Sequence, residues 1–339
     1  MKKPGVMLSV IAVCMLALLS GSGQAKERQG TVTMQVKLNA PADAKNVRIW
    51  IPYPMSDKNQ DITDVSVSGN FASSAVYGEP RSKSAILYAE WKEPAKERTL
   101  TYSFHVKRKE IVRNIRKKEF PLPDGEFRQY LDNSWLGASE AKVKAEAAKI
   151  TEGRKTVLAR AQAIYDWVVD NMRRDPNTKG CGLCDIERLL AEKAGKCADV
   201  HSVFTALCRA SGVPAREVWG INLPAGREGD MTSMQHCWAE FYLPGSGWIV
   251  VDPALVHKAA LTKKMTPADL KKAEERRYYF GSIDENRVQL GRAEHVVLNP
   301  PQSGAPLIYF MYPYAEADGK PLGEDLFGYN LGYKITFKE

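Results

Sequence analysis

A predicted helix followed by antiparallel strands, near the middle of the chain, constrains the fold more than any other stretch. The helix is predicted over 197–210, because a Gly-Lys pair precedes it and a Ser-Gly pair ends it. A short strand over 215–220 comes next, and two longer strands are predicted over 235–243 and 248–252. Residues 244–247 read Pro-Gly-Ser-Gly, which is typical of a hairpin turn. The pattern therefore predicts a helix that faces antiparallel strands.

Three chemically active residues stand at the edges of these elements, in the order Cys197, His236 and Asp252. A thiol is a weak nucleophile until a neighbouring imidazole removes its proton, and a carboxylate then orients the imidazole. The helix N-terminus and the adjacent Lys196 both favour a thiolate at Cys197. Free N–H groups of the first helical turn can also stabilise an oxyanion. The three residues predict acyl transfer or hydrolysis through a thioester.

A second histidine is a rival base. His201 follows Cys197 by four residues, so both lie on nearly the same face of the predicted helix. Helical side chains lean toward the N-terminus, which lets His201 approach the thiol. We favour His236, because a base on a facing strand can be oriented by a carboxylate on the next strand. His201 stays an alternative at this point.

The length of the hairpin loop decides whether His236 and Asp252 can meet. Side chains alternate between the two faces of a strand, so pairing Leu243 with Trp248 across a four-residue loop would separate them. A shared face needs a loop with one residue more or fewer, or a bulge. The sequence therefore predicts such an irregularity between residues 236 and 252. A carboxylate oxygen should then lie roughly 2.6–3.2 Å from an imidazole nitrogen.

Four sequence blocks resemble the core of the transglutaminase-like superfamily. They are Gly-Lys-Cys-Ala-Asp-Val-His-Ser-Val-Phe from 195, Arg-Ala-Ser-Gly-Val-Pro-Ala-Arg-Glu from 209, Gln-His-Cys-Trp-Ala-Glu from 235 and Gly-Trp-Ile-Val-Val-Asp-Pro from 247. The resemblance covers roughly 140–285, and bacterial exported members of the family also carry a β-sandwich before this core. It implies a papain-like fold with Cys197 as nucleophile, His236 as base and Asp252 as the orienting carboxylate.

The chain departs from the animal members of that family at the nucleophile. Those enzymes have Gln-Cys-Trp, whereas this chain has Lys196-Cys197-Ala198 and lacks the acidic clusters of their calcium sites. The resemblance therefore favours hydrolysis over calcium-dependent cross-linking. We expect no cofactor and no metal ion.

The remaining cysteines raise a separate question. Cys181 and Cys184 are separated by two residues and could form a metal half-site, a redox pair or a loop disulfide. Zinc is disfavoured, because no second pair with suitable spacing follows. Cys208 lies too far along the helix to bond to Cys197. Cys237 alternates away from His236 on its strand and is predicted to be core.

The first residues predict export. Lys2 and Lys3 precede an apolar run over 6–19 that is too short for an ordinary membrane span, and small residues follow up to Ala25. We expect cleavage after Ala25 and a periplasmic or secreted bacterial protein. An uncleaved membrane anchor is the alternative.

The whole chain is predicted to be α+β, with a papain-like core between β-rich regions. Its 339 residues suffice for two or three domains. The predicted divisions are a signal peptide (1–25), a β-sandwich (26–118), a connector (119–138), the catalytic core (139–285) and a β-rich C-terminal extension (286–339).

Composition and motifs limit the partners. The formal net charge of +8 is spread along the chain, and no nucleic-acid-binding motif is present. We expect a protein or peptide substrate, with cell-wall peptide as one candidate, and no membrane span after cleavage. The alternative function is a non-catalytic envelope module that keeps the fold and binds through its β domain.

Overall fold

The computed structural model describes residues 25–79, 81–82, 84–116, 120–122, 125–323, 327–328 and 330–339. The predicted signal peptide, apart from Ala25, lies outside the described residues. The strands are β1 (Glu27–Lys37), β2 (Val47–Tyr53), β3 (Gln60–Gly69), β4 (Ser73–Gly78), β5 (Ala85–Trp91), β6 (Thr99–Lys109), β7 (Arg173–Arg174), β8 (Ala194–Gly195), β9 (Ala215–Asn222), β10 (Glu228–Asp230), β11 (Gln235–Leu243), β12 (Gly247–Val251), β13 (Arg287–Arg292), β14 (Tyr314–Ala317), β15 (Lys320–Pro321) and β16 (Tyr333–Lys338). The helices are α1 (Glu140–Ile150), α2 (Val157–Asn171), α3 (Ile186–Glu192), α4 (Cys197–Ala210), α5 (Pro253–Thr262), α6 (Pro267–Lys272) and α7 (Glu274–Tyr278). Within this described part, no helix combines the length and apolar character that crossing a membrane requires.

A β-sandwich forms from the first six strands together with later ones. One sheet has the strand order β10-β16-β1-β6-β3 and the other β15-β14-β2-β5-β4. Strands β1 and β6 alternate in burial, as expected of sheets that are covered on one face. Val32 and Phe104 from the first sheet share one apolar core with Ile49 and Leu87 from the second. The predicted α+β fold with a sandwich is confirmed.

The last three strands, β14, β15 and β16, complete this sandwich. Strand β16 pairs with the edge of β1 (Val32 opposite Phe337), and β14 pairs with β2. Even β10, from the middle of the chain, pairs with β16. The domain boundaries predicted from the sequence, including the one at residue 286, remain predictions. Local sequence did not reveal that β1 and β2 pair with these distant strands, which cover edges that would otherwise be exposed.

The central sheet carries the predicted helix. Its four antiparallel strands follow the order β12-β11-β9-β13, and α4 spans the residues that were predicted to be helical. Almost every residue of α4 is buried, and Val203 and Phe204 share a core with Cys237 and Phe241 of β11. On the opposite face of β11, Trp238 packs in a separate small cluster. The sheet therefore presents its odd-numbered β11 side chains to α4.

Candidate active site

The nucleophile predicted from the sequence starts helix α4. Cys197 is the first helical residue and is 4% exposed. The helix begins there because Lys196 has an extended backbone and because Asp199, one turn on, accepts a hydrogen bond from the Lys196 N–H at 3.2 Å. The thiol thus lies at the positive end of a buried helix, as predicted.

The hairpin has the irregular loop length that the triad requires. Leu243 pairs with Gly247 rather than with Trp248, so three residues connect the strands instead of four. Gly245 and Gly247 have φ values of +87° and +88°, a region that residues with side chains rarely adopt. The prediction of an irregularity between the two strands is confirmed, and the register brings residues 236 and 252 to one face.

The Asp252 carboxylate contacts both the His236 imidazole and the N-terminus of helix α5. Its Oδ2 lies 2.7 Å from Nε2 of His236, and its Oδ1 accepts a hydrogen bond from the Leu255 N–H at 3.0 Å. The residue is the N-cap of α5, with Pro253 in the first turn, so the helix dipole also favours the negative charge. His236 is 6% exposed and Asp252 is fully buried. This geometry agrees with the predicted distance.

The charges of the three groups support one another. Hydrogen bonds from the Cys181 and Cys237 thiols hold the pKa of Cys197 well below its usual value; burial opposes this, and His236 adds to it. Burial disfavours the imidazolium, but the charge and hydrogen bond of Asp252, together with Cys197, raise the pKa of His236 to about 9. Burial would raise the pKa of Asp252, yet His236 and His201 hold it below its usual range. These shifts favour a thiolate at Cys197 and an imidazolium at His236, beside a carboxylate at Asp252.

His201, the rival base, faces other partners. Its Nε2 is 3.2 Å from Oδ1 of Asp252, without hydrogen-bond geometry, and its Nδ1 is 3.3 Å from the Cys237 sulfur. The two imidazole centroids are 6.1 Å apart. One ring nitrogen of His201 therefore faces the shared carboxylate and the other a second thiol. These contacts favour a role for His201 in supporting Asp252 over a role as the base that deprotonates Cys197.

Two further thiols surround the nucleophile, which the sequence reading missed. Cys237 is buried as predicted, but its thiol lies beside Cys197 and influences the pKa of that residue. Cys181 accepts a hydrogen bond from the Tyr312 hydroxyl at 3.1 Å and also contacts the Cys197 thiol. The hydrogen bond to Cys197 and burial raise the pKa of Cys181, and burial and the same bond raise the pKa of Cys237. The negative charge of the cluster thus belongs to Cys197.

The described cysteines are all unpaired. Cys181, Cys184, Cys197, Cys208 and Cys237 are free thiols, so the two cysteines of the 181–184 loop form no disulfide. Cys184 lies near Ser202, Glu217 and Asp199 instead. In the part of the chain that the structure describes, no three His, Cys, Asp or Glu side chains are grouped so that they could hold a metal ion.

Asp199 is a site residue that sequence reasoning overlooked. Its fully buried carboxylate accepts backbone N–H bonds from Leu183 and Cys184 at 3.0 Å each, in addition to the one from Lys196. Burial raises the pKa of Asp199, and these bonds oppose the rise. A β-carbon at Gly182 would lie 2.2 Å from this carboxylate, which explains the glycine. The sequence signal that could have identified Asp199 is an acidic residue at the third position of helix α4, which is typical of a capping residue.

Comparisons with known proteins bear on the family and the fold. The family model of the transglutaminase-like superfamily matches residues 144–253, which include all three candidate catalytic residues. An uncharacterized protein of Haemophilus influenzae is 32% identical over 300 residues, which cover 81% of each protein. A crystal structure of a candidate cysteine protease from Cytophaga hutchinsonii has a similar fold, with a TM-score of 0.56, 17% identity and coverage of 93% of this chain and 99% of that chain. The chain belongs to the transglutaminase-like superfamily.

Proposed function

We propose that the protein is a cysteine enzyme that cleaves or transfers acyl groups at amide bonds. The observation that supports this best is the line of Cys197, His236 and Asp252, with 2.7 Å between the His236 Nε2 and the Asp252 carboxylate. A low thiol pKa together with a raised imidazole pKa is the charge state that nucleophilic cysteine chemistry uses. In this proposal Asp252 holds the imidazole in one orientation and stabilises its positive charge.

The reaction proceeds in two halves. The Cys197 thiolate attacks the carbonyl carbon, a C–S bond forms, and the C–N bond breaks as the His236 imidazolium gives its proton to the leaving amine. The neutral imidazole then takes a proton from water or an acceptor amine, which attacks the thioester. The C–S bond breaks, and Cys197 leaves as a thiolate beside a protonated His236. Water gives hydrolysis, and an amine gives acyl transfer.

The test uses a small activated ester, 4-nitrophenyl acetate. We expect acetylation of the wild-type protein, visible as an intact-mass increase that maps to Cys197, with release of 4-nitrophenolate. Cys197→Ala should give neither signal and should keep its melting temperature within a few degrees, because the first residue of a helix contributes little packing. Cys208→Ala, a buried thiol near the other end of α4, is the matched control and should retain acetylation.

Iodoacetamide labelling separates this proposal from the alternative, a non-catalytic module that keeps the fold. The burial of Cys197, only 4% exposed, is the observation that favours the alternative. Labelling of Cys197 faster than a free thiol at neutral pH supports catalysis. Labelling no faster than a free thiol, with no thioester formed, would contradict it. Screening peptides, isopeptides and cell-wall fragments would then identify the substrate.

We also propose that the protein acts in the bacterial envelope or outside the cell. The support is the Lys2-Lys3 pair, the apolar run after it and the small residues before Lys26. The intact mass of exported protein should correspond to a chain that starts at Lys26. A mass that retains Met1 to Ala25 would indicate a membrane anchor instead.

A further inference from the structure

Gln235 carries a buried amide nitrogen without a hydrogen-bond partner among the described residues. The residue immediately precedes His236 and is 8% exposed. Buried side-chain amides are almost always hydrogen-bonded, so an unpaired donor of this kind calls for an explanation. We propose that Gln235 is a catalytic residue that donates a hydrogen bond to the oxyanion formed at Cys197; the inference rests on the proposed function.

Gln235 lies on the face of β11 that packs against helix α4, which begins at Cys197. Side chains two residues apart share a face of a strand, so Gln235 lies on the same face of β11 as Cys237. The Cys237 thiol lies close enough to the Cys197 thiol for each to shift the pKa of the other. The Gln235 carbonyl lies 3.5 Å from the Cys181 sulfur, and the Cys181 carbonyl accepts the Ala198 N–H at 2.9 Å. Gln235 therefore contacts the loop that contains Cys181, and this loop contacts the start of α4.

A second donor is available beside the same sulfur. Three neighbouring N–H groups of the helix start are engaged: that of Lys196 by the Asp199 carboxylate, that of Ala198 by the Cys181 carbonyl and that of Val200 by the Lys196 carbonyl. The Cys197 N–H, in contrast, has no hydrogen-bond partner among the residues that the structure describes. A backbone N–H at a helix start and a side-chain amide are the kinds of group that form oxyanion holes.

The proposed role follows from the chemistry of thioester formation. When the Cys197 sulfur bonds to the carbonyl carbon, the π electron pair of the C=O bond moves to the oxygen and makes it an anion. The Cys197 N–H and the Gln235 Nε2–H donate to that oxygen. When the electron pair returns and the C–N bond breaks, both donors are released. Gln235 exchanges no proton, so its effect is confined to the transition state.

The experiment compares two reactions of the same thiol. Acetylation by 4-nitrophenyl acetate passes through a tetrahedral oxyanion, whereas alkylation by iodoacetamide displaces iodide and forms none. For Gln235→Met and Gln235→Leu we expect acetylation and turnover to fall about 10²–10³-fold, a loss typical of one oxyanion donor. Alkylation should stay within about two-fold of wild type. Because the lost amide had no partner, the melting temperature should be unchanged or higher.

Gln60→Met is the matched control for removing a buried amide. Gln60 is 1% exposed, and its side chain makes three hydrogen bonds, to the Met55 carbonyl and to both the N–H and the carbonyl of Gln289. This variant should lose stability but acetylate at the wild-type rate once folded. Gln235 variants that acetylate like wild type, or that lose alkylation and acetylation in parallel, would overturn the inference. Absence of Cys197 acetylation in the wild type would instead overturn the proposed function, and the role of Gln235 with it.

Discussion

At the scale of single residues, the Asp252 carboxylate contacts three groups, of which the His236 imidazole is only one. Its two oxygens meet His236, His201 and the Leu255 N–H, at 2.7, 3.2 and 3.0 Å. The two imidazoles hold the pKa of this buried carboxylate below its usual range, and the charge of Asp252 in turn raises the pKa of His236, which favours an imidazolium next to Cys197. In the proposed function, the charge state of Cys197 therefore depends on Asp252 through His236.

The titration of His236 tests this dependence. The Asp252 and Cys197 charges raise the pKa of His236 to about 9, so the imidazolium should persist below that pH and lose its proton above it. Amide turnover should accordingly fall as pH rises through about 9, because the leaving amine then receives no proton. NMR should show a lower pKa for His236 in Asp252→Asn, and Cys208→Ala should leave it unchanged. An identical His236 titration in wild type and Asp252→Asn would refute the coupling.

The two histidines should differ sharply in mutational effect. We expect His236→Ala to lower kcat by about 10²–10⁴-fold, as for loss of a general acid–base residue. His201→Ala should lower kcat by no more than about tenfold, since His201 contacts Asp252 and Cys237. His257→Ala removes another buried imidazole and is the control for packing loss; it should cost stability with kcat retained. Equal losses for His201→Ala and His236→Ala would make His201 the base.

At the scale of elements, the three-residue loop between β11 and β12 sets the position of the triad. The loop reverses the chain direction so that Leu243 pairs with Gly247. His236 and Asp252 then lie on the same face of the sheet. This reversal needs a backbone conformation with positive φ at Gly245 and Gly247. The hairpin is thus a local structure whose detail decides whether the site can assemble.

A pair of glycine substitutions measures that requirement. Gly247→Ala should lower the free energy of unfolding by ~1–2 kcal/mol, because φ is +88° there while a methyl group would meet no atom within 4 Å. Gly78→Ala, at the end of β4, also meets no atom within 4 Å but has no positive φ. It should be neutral or stabilise by about 0.4–1 kcal/mol. Urea unfolding of both variants makes the comparison, and equal midpoints would argue against backbone strain at Gly247.

At the scale of the whole molecule, the two ends of the chain meet in one sheet. Strand β16 lies between β1 and β10, so residues more than 300 positions apart pair in register, as Val32 does with Phe337. The same apolar core includes Ile221 and Val288, which belong to the central sheet that carries the candidate site. Sandwich and candidate catalytic core are therefore packed as one structure.

A substitution in the last strand should consequently destabilise the protein. Ile335→Ala should cost about 2–5 kcal/mol of unfolding free energy, since Ile335 is 4% exposed in the sandwich core. Lys334→Ala, one residue earlier with a side chain 60% exposed, should change stability by less than about 0.5 kcal/mol. Denaturant unfolding followed by circular dichroism distinguishes them. A negligible effect of Ile335→Ala would mean that the C-terminal strands are a dispensable extension.

Local features of this protein could be predicted from its sequence. The start of α4 at Cys197, the hairpin and the odd loop length depend on residues within a few positions of each other. Backbone propensities and strand alternation act over that range, and they predicted that His236 could reach Asp252. The sandwich was predictable for the same reason, from alternation within β1 and β6.

Other features depend on contacts between distant segments, and only the tertiary structure decided them. The thiols of Cys181 and Cys237 lie beside Cys197, and the Gln235 amide nitrogen is buried without a partner in the described part of the chain. The C-terminal strands enter both sheets of the sandwich. Strand patterns state which face of an element is buried but not which distant element covers it, because many pairings bury similar apolar area. That choice is made by the packing of the whole chain.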